Sequence, residues 1–186
     1  MNIYDVLMSD HREVLGLLKK AEKAEGEERQ ALLNTIIDAL SAHAIAEGEV
    51  LYDNIEDASD DVHELIMEAH EEHLSAARLM KELLDPAVND ERRLAKTTLL
   101  REQIEHHVEE EEGEMFTKAR RFINEEAAEA LAGEFLAKKE QLMTRPVGER
   151  VAEAIATEEA LARGGAPKKN KKQMNGMKPA PALAAR

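Results

Sequence analysis

His43 and Glu47 stand one helical turn apart in "HAIAEGEVLY" (43–52), and His107 and Glu111 repeat that spacing in "HVEEEEGEMF" (107–116). Both segments read His-x-x-x-Glu-x-x-x-hydrophobic-aromatic, in a chain with only 7 His, 2 Tyr and 3 Phe. Residues four apart on a helix differ by about 40° in direction, so each carboxylate stacks on its imidazole along one face. The same faces carry Leu40 and Leu51 in one segment, and Ile104 and Met115 in the other. A lone carboxylate in an apolar stripe is costly, by roughly several kcal/mol, unless it is protonated, paired or bound to a metal. Basic residues are missing from both faces. A cation held between helices by imidazole nitrogen and carboxylate oxygen accounts for both pairs at once. The alternative is that both pairs are solvated, and the run Glu109 to Glu112 makes any single Glu there a weak signal. Helical phase turns Glu111 inward beside His107 and rotates Glu109 and Glu112 away.

Two further histidines share this logic. Aligning "DHREVLGLLKK" (10–20) with "EHLSAARLMKE" (72–82) sets His11 on His73, Leu18 on Met80 and Lys19 on Lys81. The offset nearly equals that between the two His-Glu pairs, so the first half of the chain reads as an internal duplicate of the second. Taken alone, each of these histidines is as readily a hydrogen-bonded core residue as a ligand. Their symmetric placement beside the His-Glu pairs favours a ligand role. His70, one turn before His73, is an alternative ligand or a residue supporting one from behind. His106 points about 100° away from His107, toward the flank. His63, among Asp60, Asp61 and Glu64, is solvated.

Four amphipathic helices must position these groups. The first spans residues 3 to 25, with Asn2 as its cap and Gly26 as its stop. The second runs from Glu27 to Ile55. The third begins after Ser59 or Asp60 and reaches Leu84, where "DPAVND" breaks it. The fourth runs from Asp90 to about Ile123. Short connections imply an all-α, antiparallel (up-down-up-down) four-helix bundle over residues 1–124. Residues 125–163 form an additional C-terminal helical segment interrupted by Pro146, lying along the outside of the bundle. Residues 164–186 lose periodicity, gain Gly, Pro and Lys, and read as a disordered basic tail.

Bulk properties narrow the function. There is no Cys, which removes thiolate metal sites, disulfides and thiol nucleophiles. The net charge is −14, yet residues 164–186 carry six basic side chains and no acid, so the rest of the chain is more acidic still. An acidic body repels nucleic acid and anionic membrane and suits a cation. No signal peptide and no membrane span is read, which places the protein in the cytoplasm. No phosphate-binding Gly-rich loop or nucleophile elbow competes with the metal reading.

The set His11, His43-x-x-x-Glu47, His73 and His107-x-x-x-Glu111, with the pairs Leu51-Tyr52 and Met115-Phe116, resembles the hemerythrin-like HHE cation-binding domain over about residues 3 to 123. The resemblance implies a bundle holding two iron ions in a non-haem centre. Glu47 and Glu111 would bridge the ions, and His11, His43, His73 and His107 would be terminal ligands. The oxygen-carrying hemerythrins have a His-x-x-x-His pair on the third helix, where this chain has Ala69 and Ala77 at −4 and +4 from His73. Their fourth-helix motif ends in Asp, where this chain has Glu111. Fewer histidines leave more open coordination, which fits family members that sense or handle oxygen, nitric oxide, peroxide or iron.

Two function classes follow. One is a protein that binds or reduces a small diatomic or peroxide ligand with electrons from an external reductant. The other is a sensor without turnover, whose C-terminal segment moves when the centre changes. A site for zinc or manganese is a third reading, because His and Glu alone do not select iron.

Overall fold

Asn2 opens the first helix with a reciprocal cap. Its side chain accepts from the Asp5 amide at 3.1 Å, and the Asp5 carboxylate accepts from the Asn2 amide at 3.2 Å. The computed structural model describes residues 1–164. Helix α1 is Ile3–Ala21. It stops short of the expected residue 25, because the chain turns there and Gly26, at φ 52°, takes a conformation that a side chain would resist. Buried Arg29 secures this turn, donating to the Ala21 carbonyl at 3.1 Å, to the Ala24 carbonyl, and to the Asp90 carbonyl at 3.1 Å.

Helix α2 is Gly26–Glu47, continued through a π-helical turn, Gly48–Tyr52, to Ile55. Helix α3 is Asp60–Leu83, capped by Ser59. Helix α4 is Asp90–Glu110, continued through a second π-helical turn, Glu111–Met115, to Ala119. Each π turn thus begins at or just after one of the two glutamates singled out above. A π turn inserts an extra residue into the helix and marks functional positions more often than chance. Helices α5 (Glu125–Met143) and α6 (Val147–Ala162) follow, separated at Pro146.

The apolar side chains form two clusters. One joins the start of α1 (Ile3, Leu7) to the end of α2 (Leu51, Ile55), the start of α3 (Val62, Ile66) and the end of α4 (Met115, Phe116). The other joins the opposite ends, through Leu18, Leu33, Ile37, Met80 and Leu100. Consecutive helices therefore bring opposite ends together. Between the clusters lies one polar layer, at the level of His11, His43, His73 and His107.

Helix α5 lies on α1 and α2, and α6 lies on α3 and α2. Arg150, with none of its surface exposed, fastens α6 down. It donates to the Leu142 carbonyl at 2.8 Å, the Ser41 hydroxyl at 3.2 Å and the Asp38 carbonyl at 3.1 Å, and it pairs with the Asp38 carboxylate. Among the described residues no helix is long and apolar enough to cross a membrane. The tail expected from Gly164 onward lies, beyond that residue, outside the described part of the chain.

Candidate metal centre

Four helices each deliver an imidazole to the polar layer, and α2 and α4 each add a carboxylate. His11, His43, Glu47, His73, His107 and Glu111 all converge there, none more than 7% exposed. The Nε2 atoms of His11 and His43 are 3.3 Å apart, and so are those of His73 and His107. Glu47 Oε2 lies 3.5 Å from His43 Nε2, 3.5 Å from His73 Nε2 and 3.9 Å from His107 Nε2. Glu111 Oε2 lies 3.3 Å from His11 Nε2 and 3.8 Å from His107 Nε2. Both carboxylates therefore face histidines from both halves of the duplication.

Each of these four histidines turns Nε2 inward and Nδ1 toward a carboxylate. His43 Nδ1 is 3.1 Å from Asp10, His107 Nδ1 is 2.8 Å from Glu72, and His11 Nδ1 is 2.9 Å from Glu112. His73 Nδ1 is 3.8 Å from Glu158, which comes from α6. A carboxylate behind an imidazole fixes its tautomer and orientation and makes its other nitrogen a better ligand. Lys139 of α5 pairs in turn with Asp10.

These outer carboxylates were not singled out in the sequence, although a signal for two of them was present. Asp10 and Glu72 occupy the same first position of the aligned segments, each preceding its histidine, and each reaches the histidine of the next helix. Glu112 corrects the expectation that it rotates away. The π turn adds a residue to the helix at this point, which brings Glu112 round to His11. Its counterpart in the first half is Gly48, which has no side chain, and Glu158 takes that part for His73.

Tyr52 is the other unforeseen member. Its hydroxyl lies 3.2 Å from Glu47 Oε2 and 3.3 Å from Glu111 Oε1, while its counterpart Phe116 packs on Tyr4. His70 stays outside the inner set. Its Nδ1 is 2.8 Å from Glu158 Oε2, and its ring meets Tyr52 edge-on at 5.6 Å. His63 and His106 are half or more exposed, as expected.

The ionisable groups of this layer shift one another strongly. Burial would raise the Glu47 carboxyl, yet His43 and His73 hold it well below the usual range. Burial and the Glu47 charge together push Glu111 well above it. Burial depresses His11 to about 3, with His43 adding to the effect. His73 overcomes its burial through Glu158 and Glu47, reaching about 9. The Tyr52 hydroxyl, with one proton to give, thus stands between a carboxyl held down and a neighbour pushed up, within donating distance of each.

This arrangement fits metal cations. Glu47 Oε1 and Glu111 Oε2 are buried without a hydrogen-bond partner, a costly state that a coordinated cation would relieve. The donor set divides into two groups, His11-His43-Glu47 and His73-His107-Glu47, whose ligand atoms lie within 4.8 Å of one another. Imidazole with carboxylate suits first-row transition metals.

Comparison with known proteins points to a cation-binding family. The family described as Hemerythrin HHE cation binding domain matches residues 2–119. The crystal structure of a Hemerythrin HHE cation binding domain-containing protein from Mycobacterium kansasii, an Rv2633c homolog, is similar with a TM-score of 0.64 at 24% identity. That similarity covers 89% of this chain and 95% of the other. At that identity the likeness establishes the fold. A protein of Nostoc sp. (strain PCC 7120 / SAG 25.82 / UTEX 2576) named DNA nickase is 28% identical over 152 residues, covering 80% of this chain but 42% of that protein. The chain therefore spans less than half the length of this relative.

Proposed function

Because the chain belongs to the hemerythrin HHE cation-binding domain family, we propose that it holds two iron ions and uses them to bind or reduce dioxygen, peroxide or nitric oxide. The setting proposed is a cytoplasmic oxidative-stress or iron-handling role. In this reading residues 1–124 form the metal-holding bundle and 125–163 an appended unit. The single observation that carries the proposal is the convergence of four Nε2 atoms and two buried carboxylates in a layer closed above and below by apolar clusters.

His11 and His43 would hold one ion and His73 and His107 the other, with Glu47 and Glu111 shared between them. When bound, a ferrous pair supplies two electrons and an open coordination position for the small ligand. The chain's own residues do the rest. Asp10, Glu72 and Glu112 orient three of the rings by hydrogen bonds, and Glu158 stands 3.8 Å behind the fourth, His73. The apolar layers exclude bulk water, which strengthens every charge interaction inside. Tyr52 keeps a proton in hydrogen-bond contact with both carboxylates, where a reduced ligand would need one. Electrons for repeated turnover must come from an external reductant.

Metal analysis of protein purified without added metal, together with steady-state peroxide consumption, tests this reading. Iron at close to two atoms per chain and measurable consumption support it. Zinc or manganese after expression in iron-replete medium overturns it.

One observation favours a second reading, a sensor without turnover. Glu158 links His73 to α6, a helix beyond the family match, so a change in the state of the centre has a mechanical route to the C-terminal segment. Iron without peroxide consumption, with altered hydrogen exchange in α6 on oxidation, would select this reading. The nicking named for the Nostoc relative is not carried over. Most of that protein lies outside the match, and an acidic body opposes DNA.

A further inference from the structure

Glu72 has two oxygens, and they serve two places. Its Oε2 is 2.8 Å from His107 Nδ1, inside the bundle. Its Oε1 is 3.6 Å from the Nε2 of His106, which faces outward. Glu110, one turn after His106 on α4, brings its own Oε1 to 3.5 Å from that same nitrogen. The three donor atoms lie within 4.8 Å of one another. Exposure falls along the set, from 60% at His106 through 38% at Glu110 to 19% at Glu72, so it leads from solvent inward.

Directly behind it is a small cavity of about 10 Å³, close to the space of one water-sized sphere. Glu72 and Glu110 bound it on the outer side and His107 and Glu111 on the inner side, with Leu65, Ala69 and Met115 as its walls. Glu111 Oε2, 1% exposed as a residue, has no hydrogen-bond partner of its own. In the first half of the duplication the carboxylate equivalent to Glu72 is Asp10, and Lys139 pairs with it.

From this geometry we infer that Glu72, His106 and Glu110 form a capture site for a divalent transition-metal cation, from which the ion passes through the cavity to His107 and Glu111. The inference rests on the metal-centre reading above and adds its route of loading. Two carboxylates and an imidazole suit such a cation. Their exposure leaves the remaining coordination to water, so the ion is held briefly and released. Glu72 is the hinge of the route, touching both the captured ion's site and a histidine of the centre. An acidic body attracts cations, and a site lined by charge opposite to the ligand raises association rates by roughly 10 to 1,000-fold.

The test uses the full-length chain, stripped of metal by chelation and mixed with Co²⁺ in a stopped-flow instrument, following the ligand-field absorption of the buried centre. His106→Gln and Glu110→Gln are each expected to slow uptake roughly tenfold or more, while the final absorption and metal content match the parent. His63→Gln, an exposed histidine at another place, is expected to load at the parental rate. Helical circular dichroism and the thermal midpoint verify that both port variants fold, and either variant suffices if the other does not. Unchanged rates with full loading would overturn the capture site and leave the centre standing. Reduced final content would overturn it too, by showing these residues to be part of the centre itself. Failure of the parent chain to take up Co²⁺ at all would overturn the metal-centre reading along with it.

Discussion

Asp10 Oδ2 lies 3.1 Å from the Nδ1 of His43, reaching across from α1 to α2. Glu72 does the same for His107, from α3 to α4, at 2.8 Å. In each half the residue just before one histidine orients the histidine of the following helix, so each helix pair is locked through the ring it presents.

Replacing these carboxylates by their amides keeps size and removes charge. Asp10→Asn and Glu72→Gln are each expected to weaken iron retention by about 10–100-fold, the range for partners behind metal-binding histidines. Competition with a chelator of known affinity measures the loss. Affinities equal to the parent in both variants would mean that ring orientation is set by packing alone.

Within the acidic run of α4 the outcome depends on position. Glu111→Ala, like Glu47→Ala on α2, is expected to abolish the paired centre, since both side chains are buried against histidines of both halves. Glu112→Ala is expected to weaken retention without abolishing it, because it touches only the outer nitrogen of His11, at 2.9 Å. Glu109→Ala is expected to change nothing. Iron content of the four purified variants distinguishes them, and equal losses at all four positions would sink the assignment.

The contrast between Glu111 and Glu112 shows what the sequence made legible and what it did not. The α-helical period placed His43, Glu47, His107 and Glu111 on one face, and the duplication brought in His11 and His73. A π turn is not written in hydrophobic periodicity, so a phase of 100° per residue carried past Glu111 points Glu112 the wrong way. Tyr52 was hidden for another reason: beside Leu51 it reads as an apolar-aromatic packing pair, and only its hydroxyl departs from Phe116. Glu158 was out of reach altogether. Its contact with His73 depends on where α6 docks, and that is set largely by Arg150 binding Asp38 and Ser41 of α2, a pairing more than a hundred residues distant in sequence.

Glu158 is therefore the residue through which the appended helices should be felt at the centre. It is held down to about 2, its burial being outweighed by His70 and His73. Glu158→Gln is expected to lower iron retention about tenfold, at the lower end for such a partner, because 3.8 Å is a looser contact than those of Glu72 and Glu112. The resonance of the His73 ring should shift in the metal-free protein while those of His11 and His43 stay in place. A shift of all four rings would indicate general loosening instead, and no shift would separate α6 from the site.

Tyr4 offers a pH test away from the centre. Its hydroxyl is buried without a hydrogen-bond partner, its ring lies 5.1 Å from that of Phe116, and the Arg120 guanidinium sits 4.0 Å from its centroid. Burial, opposed by Arg120 and aided by Glu125, pushes the phenol up to about 12, against roughly 10 in an unfolded chain. Between those values the folded protein keeps a proton that the unfolded chain has lost. Stability on this account is constant below pH ~10 and falls as pH rises toward ~12, with a slope approaching that of one proton. Tyr4→Phe removes the titrating group and keeps the ring. It leaves no partner unsatisfied, so it should change stability little at neutral pH. Urea unfolding at several pH values should give a shallower alkaline decline for Tyr4→Phe than for the parent. Parallel declines would show that the Tyr4 hydroxyl reaches solvent readily enough to ionise in the folded state.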